Sequence, residues 1–168
     1  ALLRALKIAP HDPATWVNRA ELASRAGRDR AAVEYSDQAL SYDERCVDAY
    51  VNRGAARVQL GELEAGAADF QRALKLTPEH FNARLNLVIT LEDLKRHDEA
   101  LAVCRELVAR HPEQGEAHLR LGSLLVKGNQ VAAALPALER AGALGELEGW
   151  RMVARFCAQA DPPRAREA

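Results

Sequence analysis

The sequence predicts an all-α solenoid of antiparallel helix pairs, and three observations predict it. A 34-residue period runs through the chain: Trp16, Tyr50, Arg84 and His118 fall 34 apart and open the similar phrases WVNRA, YVNRG, RLNLV and HLRLG. The same period spaces Pro10, Pro78 and Pro112, with Glu44 and Glu146 on the beats that lack proline, and it spaces Ala32, Gly66, Ala100, Ala134 and Ala168. Between the breaks, apolar residues recur at three and four and no stretch alternates with period two, so helices are expected and strands are not. A period of this length marks a stacked repeat protein, in which each unit contacts only its neighbours.

The elements follow in order. A short helix is expected over 1–8. Pairs follow at 13–26 with 29–42, 47–60 with 63–76, 81–94 with 97–110, and 115–128 with 131–143. A last helix covers about 148–160. The seven prolines lie in the breaks except Pro136, near the start of a helix, where the ring predisposes to a local kink. Short connections force antiparallel neighbours. Gly27 and Gly61 sit where a first helix must end and turn. Lys95 and Asn129 stand at the same place in the next two units, with Gly128 one residue away.

Full units are counted from Pro13, Val47, Phe81 and Gly115. Positions 4, 7, 8 and 11 share one helical face. Position 8 carries Ala20, Gly54, Val88 and Gly122, and position 20 carries Ala32, Gly66, Ala100 and Ala134. Small side chains there let paired helices approach, while a large residue at position 4 fills the space beside them.

Aromatic at 4, small at 8, Gly at 15, Ala at 20, Ala at 27 and Pro at 32: this pattern resembles the tetratricopeptide repeat over nearly the whole chain. The resemblance implies a right-handed superhelix of helix pairs with a concave groove. The 35-residue repeat that reads RNA fits less well, since the period is 34 without drift and the net charge is −1. Arg19 and Arg53 replace the usual leucine at position 7, and Arg84 and His118 replace the aromatic at position 4. Their long stems are expected to pack while the charged heads snorkel to solvent.

The organisation expected is the end of a preceding repeat at 1–12, four repeats at 13–46, 47–80, 81–114 and 115–148, and a partial fifth repeat or capping helix at 149–168. Trp150, Met152, Val153, Phe156 and Cys157 spread apolar surface around much of the last helix, which suits a segment of a longer array; a degenerate cap is the competing reading.

The totals, 23 basic against 24 acidic residues, leave no basic field for nucleic acid or membrane surfaces. No apolar run approaches the roughly 20 residues that span a bilayer. The three cysteines, Cys46, Cys104 and Cys157, make no C-x-x-C pair and suit free thiols in a reducing, cytoplasmic compartment. The five histidines lack metal-ligand spacing, and no phosphate loop or nucleophile elbow occurs. Adjacent Glu92 and Asp93 do not face each other on a helix and read as solvated surface. No catalytic residue, cofactor or metal is expected.

The groove implied by the resemblance is lined by positions 2, 6, 9 and 13 of the first helices. Position 6 is Asn18, Asn52, Asn86 and then Arg120. An asparagine offers donor and acceptor together, so a row of them suits the backbone of an extended peptide. This row resembles the asparagine ladder in the repeat arm of O-linked N-acetylglucosamine transferases; asparagine at position 6 also serves helix packing in the wider family. Asn82 and Gln59 add polar contacts, and Asp48, Asp93, Glu116, Arg25 and Lys127 set charge preference. The two-carboxylate clamp of the chaperone-binding members needs lysine at position 5 and asparagine at position 9. Position 5 is instead Val17, Val51, Leu85 and Leu119, an apolar groove wall, and the clamp is absent. The function expected is a non-catalytic scaffold holding a protein or peptide partner. Two alternatives stay open: the substrate-selecting arm of a larger enzyme such as a glycosyltransferase or kinase, and an assembly module stacking through exposed repeat ends.

Overall fold

The computed structural model describes residues 12–160, with side chains described through Cys157. The helix expected over 1–8 and the residues beyond 160 lie outside the described part. Among the described residues there are nine α-helices: α1 Pro13–Arg25, α2 Asp29–Tyr42, α3 Val47–Gln59, α4 Leu63–Leu76, α5 Phe81–Asp93, α6 His97–Arg110, α7 Gly115–Lys127, α8 Val131–Ala143 and α9 Leu147–Ala160. The protein is an all-α solenoid. It divides into two compact units after Arg96, the first holding α1 to α5 and the second α6 to α9.

Each first helix ends the same way. Residues 27, 61, 95 and 129 all adopt positive φ, as Gly27 (67°), Gly61 (83°), Lys95 (61°) and Asn129 (57°). One residue further on, an amide reaches back to the helix: Arg28 to the Ala23 carbonyl, Glu62 to Arg57, Arg96 to Leu91 and Gln130 to Leu125, at 2.8–2.9 Å. This is the bonding of a Schellman cap, whose left-handed residue is normally glycine. The period therefore fixes the conformation even where the residue type resists it. Gly128 keeps an ordinary helical-side φ of −80°, and Asn129 takes the strained place beside it.

The turn between α8 and α9 departs from the pattern. Other second helices hand over through four residues, but here Gly145 at φ 102° closes α8, the Glu146 amide bonds the Ala141 carbonyl, and α9 opens at Leu147 after three. The period alone places the opening at 149. Pro136 is accommodated inside a helix that continues from Val131 to Ala143.

Packing in the first unit follows the small-on-small expectation. A Cβ added to Gly54 would sit 2.8 Å from Phe70 Cε1 and 3.1 Å from the Gly66 carbonyl, and one added to Gly66 would sit 2.9 Å from the Gly54 carbonyl. The backbones of α3 and α4 therefore touch, and Phe70 closes the gap at 1% exposure. Trp16, Val17, Cys46 and Tyr50 pack on the buried cluster Ala39, Leu40 and Ala49.

The arginines do not snorkel. Arg19 stacks over the Trp16 and Tyr35 rings, 5.2 and 4.3 Å from their centroids, and donates to the Tyr35 hydroxyl at 3.2 Å. Arg53 donates twice to the buried Asp69 carboxylate, at 3.0 and 2.6 Å, and once to Asp37 at 2.5 Å, while Arg57 reaches Asp69 at 2.7 Å. Burial works against the Arg53 charge, but the bonds to Asp69 and then Asp37 outweigh it and push its pKa up. The first two repeats thus replace a leucine contact with polar pairing between helices.

Position 4 behaves likewise. Arg84, 5% exposed, donates to the Pro78 carbonyl; His118 Nε2 lies 3.0 Å from the Pro112 carbonyl; the Tyr50 hydroxyl donates to the Glu44 carbonyl at 3.2 Å. In each case the partner is the main-chain oxygen six residues earlier, in the turn that links two repeats. Glu44, Pro78 and Pro112 are themselves exposed, and three different side chains reach the same turn carbonyl. Arg84 and His118 are replacements for the tyrosine hydroxyl as much as for its ring.

In the second unit the corresponding core is hydrocarbon. Leu125, Ala134 and Leu138 form a buried cluster against which Leu101, Leu119, Leu121, Val126, Met152, Val153 and Phe156 pack. A Cβ at Gly122 would run into Leu138, so position 8 is again held small by its neighbour. On α9, Met152, Val153 and Phe156 thus face inward. Leu147 and Trp150 stay 68% and 47% exposed, the Trp150 ring lying flat against Gly142. Glu92, expected on solvated surface, is buried at 7% exposure, while Asp93 beside it is exposed.

Candidate functional site

Within the first unit, α1 packs on α3 and α3 on α5, which sets the position-6 asparagines on neighbouring helices. They are not equivalent. Asn18 is exposed. Asn52 is half-buried and its Nδ2 donates to the Val17 carbonyl of the preceding repeat at 3.4 Å, so part of its amide serves the repeat interface. Asn86 is half-buried, and the hydrogen bond made to it uses its main chain: Thr90 Oγ1 donates to the Asn86 carbonyl at 2.7 Å. The fourth position-6 residue, Arg120 on α7, is half-buried in the second unit.

The remaining candidates spread out. Gln59, Asn82, Asp93, Glu116 and Lys127 are exposed. Asp48 is 72% exposed, its Oδ1 3.8 Å from His80 Nε2, and His80 itself caps α5 by accepting the Ala83 amide through Nδ1. Arg25 pairs with Glu21 at 2.6 Å on its own helix, which largely cancels its charge. The apolar wall expected at position 5 is not uniform. Val17, Val51 and Leu119 are half-buried, but Leu85 is 7% exposed and belongs to the core.

Two concavities gather some of these residues. In the first unit a pocket of about 210 Å³ lies between α3 and α5, lined by Ala55, Val58, Gln59, Asn86, Ile89 and Thr90 over Phe70. In the second, Glu116, Leu119, Arg120, Ser123 and Glu146 line one of about 280 Å³. Lys127 lies elsewhere, beside His97 and Asp98. Sequence reasoning placed Gln59 and Asn86 but missed Val58, Thr90 and Phe70. The adjacent glycines Gly54 and Gly66 were the available clue, because they bring Phe70 under α3.

Among the described residues no three His, Cys, Asp or Glu side chains group as a metal site, and no helix is long and apolar enough to cross a membrane. Cys46, Cys104 and Cys157 are free thiols. Burial, joined by the Asp48 and Asp43 charges, pushes the Cys46 thiol up.

Stacked helix pairs with a left-handed turn every 34 residues define a helical-repeat protein. The tetratricopeptide repeat profile matches residues 17–78, 51–114 and 93–155, and the chain belongs to that family. Human RNA polymerase II-associated protein 3 is 31% identical over 93 residues, 55% of this chain and 13% of that protein, and the rat protein is 30% identical over 92 residues with the same coverage. The chain thus spans 13% of the length of these relatives. Among solved structures, MamA (residues 41 to the end) of Desulfovibrio magneticus RS-1 superposes with TM-score 0.76 at 22% identity, covering 89% of this chain and 85% of that one. TTC0263, a thermophilic tetratricopeptide protein of Thermus thermophilus, gives 0.75 at 21%, covering 92% and 86%. At this identity the likeness is one of fold. Proteins of the family generally mediate protein–protein interactions through non-catalytic repeats.

Proposed function

We propose that the chain is a protein-interaction scaffold whose first unit holds an extended peptide, or one face of a partner helix, along α1, α3 and α5. The observation that carries this is the pocket between α3 and α5, with the Asn86 and Gln59 amides beside an apolar floor. Asn18 and Asn86 bond the partner backbone; Asn52 contributes its remaining acceptor. The Arg120 face of the second unit, with Glu116, forms a separate polar contact. Each backbone bond contributes about 0.5–1.5 kcal/mol, roughly two- to tenfold in affinity.

The test separates the roles of the asparagines. Asn86→Ala is expected to weaken partner binding at unchanged thermal stability, and Asn52→Ala to lower both. Binding unchanged in Asn86→Ala, with the fold intact by circular dichroism, would remove the ladder. A second reading, self-association, rests on exposed Leu147 and Trp150. Sedimentation over a hundredfold concentration range decides it, since a monomer throughout excludes it.

A further inference from the structure

Resting on the reading of the first unit as a peptide-binding face, we propose that the pocket between α3 and α5 selects one apolar side chain bordered by basic residues. Its walls are aliphatic, from Ala55, Val58 and Ile89, and its floor is the Phe70 ring. That ring is fixed, because the Gly54 backbone lies against it and Phe70 is 1% exposed. An apolar cavity of about 150 Å³ accommodates a benzene ring. The 210 Å³ here therefore holds a leucine, methionine or phenylalanine side chain, and its mainly apolar lining favours these over a charged one. The Asn86 and Gln59 amides stand beside it, where the backbone of the same residue passes.

The charges around the pocket give the sign of its surroundings. Asp93 lies four residues beyond Ile89 on α5, about 6 Å along the axis, and is exposed. Asp48 stands about two turns before Ala55 on the α3 face and is 72% exposed, with His80 Nε2 3.8 Å from its Oδ1. On α1, Arg25 is already neutralised by Glu21. The cations nearest in sequence on α3, Arg53 and Arg57, are turned to Asp69. The pocket is thus flanked by carboxylates, and two residues of extended chain span roughly 7 Å. A partner carrying Lys or Arg within three residues on each side of its apolar anchor satisfies both features.

A phage-displayed library of random twelve-residue peptides, panned on the whole chain, tests this. Enrichment of an apolar residue flanked by Lys or Arg is expected. A synthetic peptide of that sequence should lose at least tenfold in affinity to Ala55→Leu, which fills the pocket, and several-fold to Asp93→Asn. Circular dichroism of both variants should match the parent. Enrichment of a motif that is acidic or lacks the anchor, or binding indifferent to Ala55→Leu, overturns the specificity while leaving the peptide-binding face standing. No enrichment of any motif removes both.

Discussion

The second and fourth repeats are built on the same backbone plan and filled with opposite chemistry. In the second, position 7 is Arg53, and it meets the buried Asp69 of the partner helix in a partly buried, twice-bonded ion pair extended by Asp37 and Arg57. In the fourth, position 7 is Leu121, which joins Leu125 and Leu138 in hydrocarbon. Glycine at position 8 holds the helices close in both, and the same left-handed turn joins them. The difference teaches that the repeat constrains backbone spacing and turn geometry, while the interface between the two helices tolerates any filling that satisfies its own polar groups. A hydrocarbon interface is forgiving in register; a buried ion pair is satisfied in one register only.

That contrast is open to test, because the two tryptophans fall in different units. Trp16 reports the first and Trp150 the second, so urea unfolding followed by fluorescence in Trp150→Phe and Trp16→Phe backgrounds reads each separately. The largest effect is expected from Leu138→Ala, which opens a cavity under Gly122 and should cost the second unit about 2–5 kcal/mol. A loss confined to Trp16 would refute the assignment of that core. Asp69→Ala comes next. It takes the buried carboxylate from Arg53 and Arg57, and since Arg53 keeps Asp37, Arg57 keeps Glu62 and both heads keep some water contact, about 1–3 kcal/mol is expected in the first unit. Adding Arg53→Leu, which gives the second repeat the position-7 residue of the fourth, should recover at least about 1 kcal/mol of that. An additive double variant would show that the pair is not coupled. Lys95→Gly works the other way. Relieving a side chain held at φ 61° should stabilise by about 0.5–1 kcal/mol, with Asn129→Gly gaining less because asparagine tolerates that region. The smallest effect is chemical. A thiol reagent at neutral pH should modify exposed Cys157 first, and half-buried Cys46 more slowly because its raised pKa leaves less thiolate. Buried Cys104 should react only on unfolding. The Cys46 rate should still be climbing at pH values where an ordinary thiol has levelled off, and a plateau at or below that range would contradict the upward shift.

Much of the fold was legible in the sequence. Every described helix begins within one residue of the place its apolar spacing gives, because periodicity and breakers are local properties. Gly27 and Gly61 announced the left-handed turns; Lys95 did not, since a lysine carries no hint of positive φ until its neighbours impose it. Burial of Glu92 and the inward pairing of Arg19, Arg53 and Arg84 were missed for a related reason. A charged residue reads as surface unless its partner is known, and Asp69 lies sixteen residues from Arg53, on the facing helix. At the candidate site, helical phase alone placed Asn86 and Gln59 on the exposed side of α5 and α3. The pocket floor depends on how far Phe70 penetrates between helices, which is set by the backbone contact of Gly54 with Gly66.

The three side chains that bond the linking-turn carbonyl have a consequence for how such repeats are recognised. Tyrosine, arginine and histidine share neither size, charge nor aromatic character as a set, yet at positions 50, 84 and 118 each delivers a polar hydrogen to an oxygen six residues back. They are synonyms in a vocabulary written in donor reach rather than in residue type. A profile that scores this column by side-chain shape counts Arg84 and His118 as errors. One that scores it by whether the tip can donate reads all three units as spelling the same word.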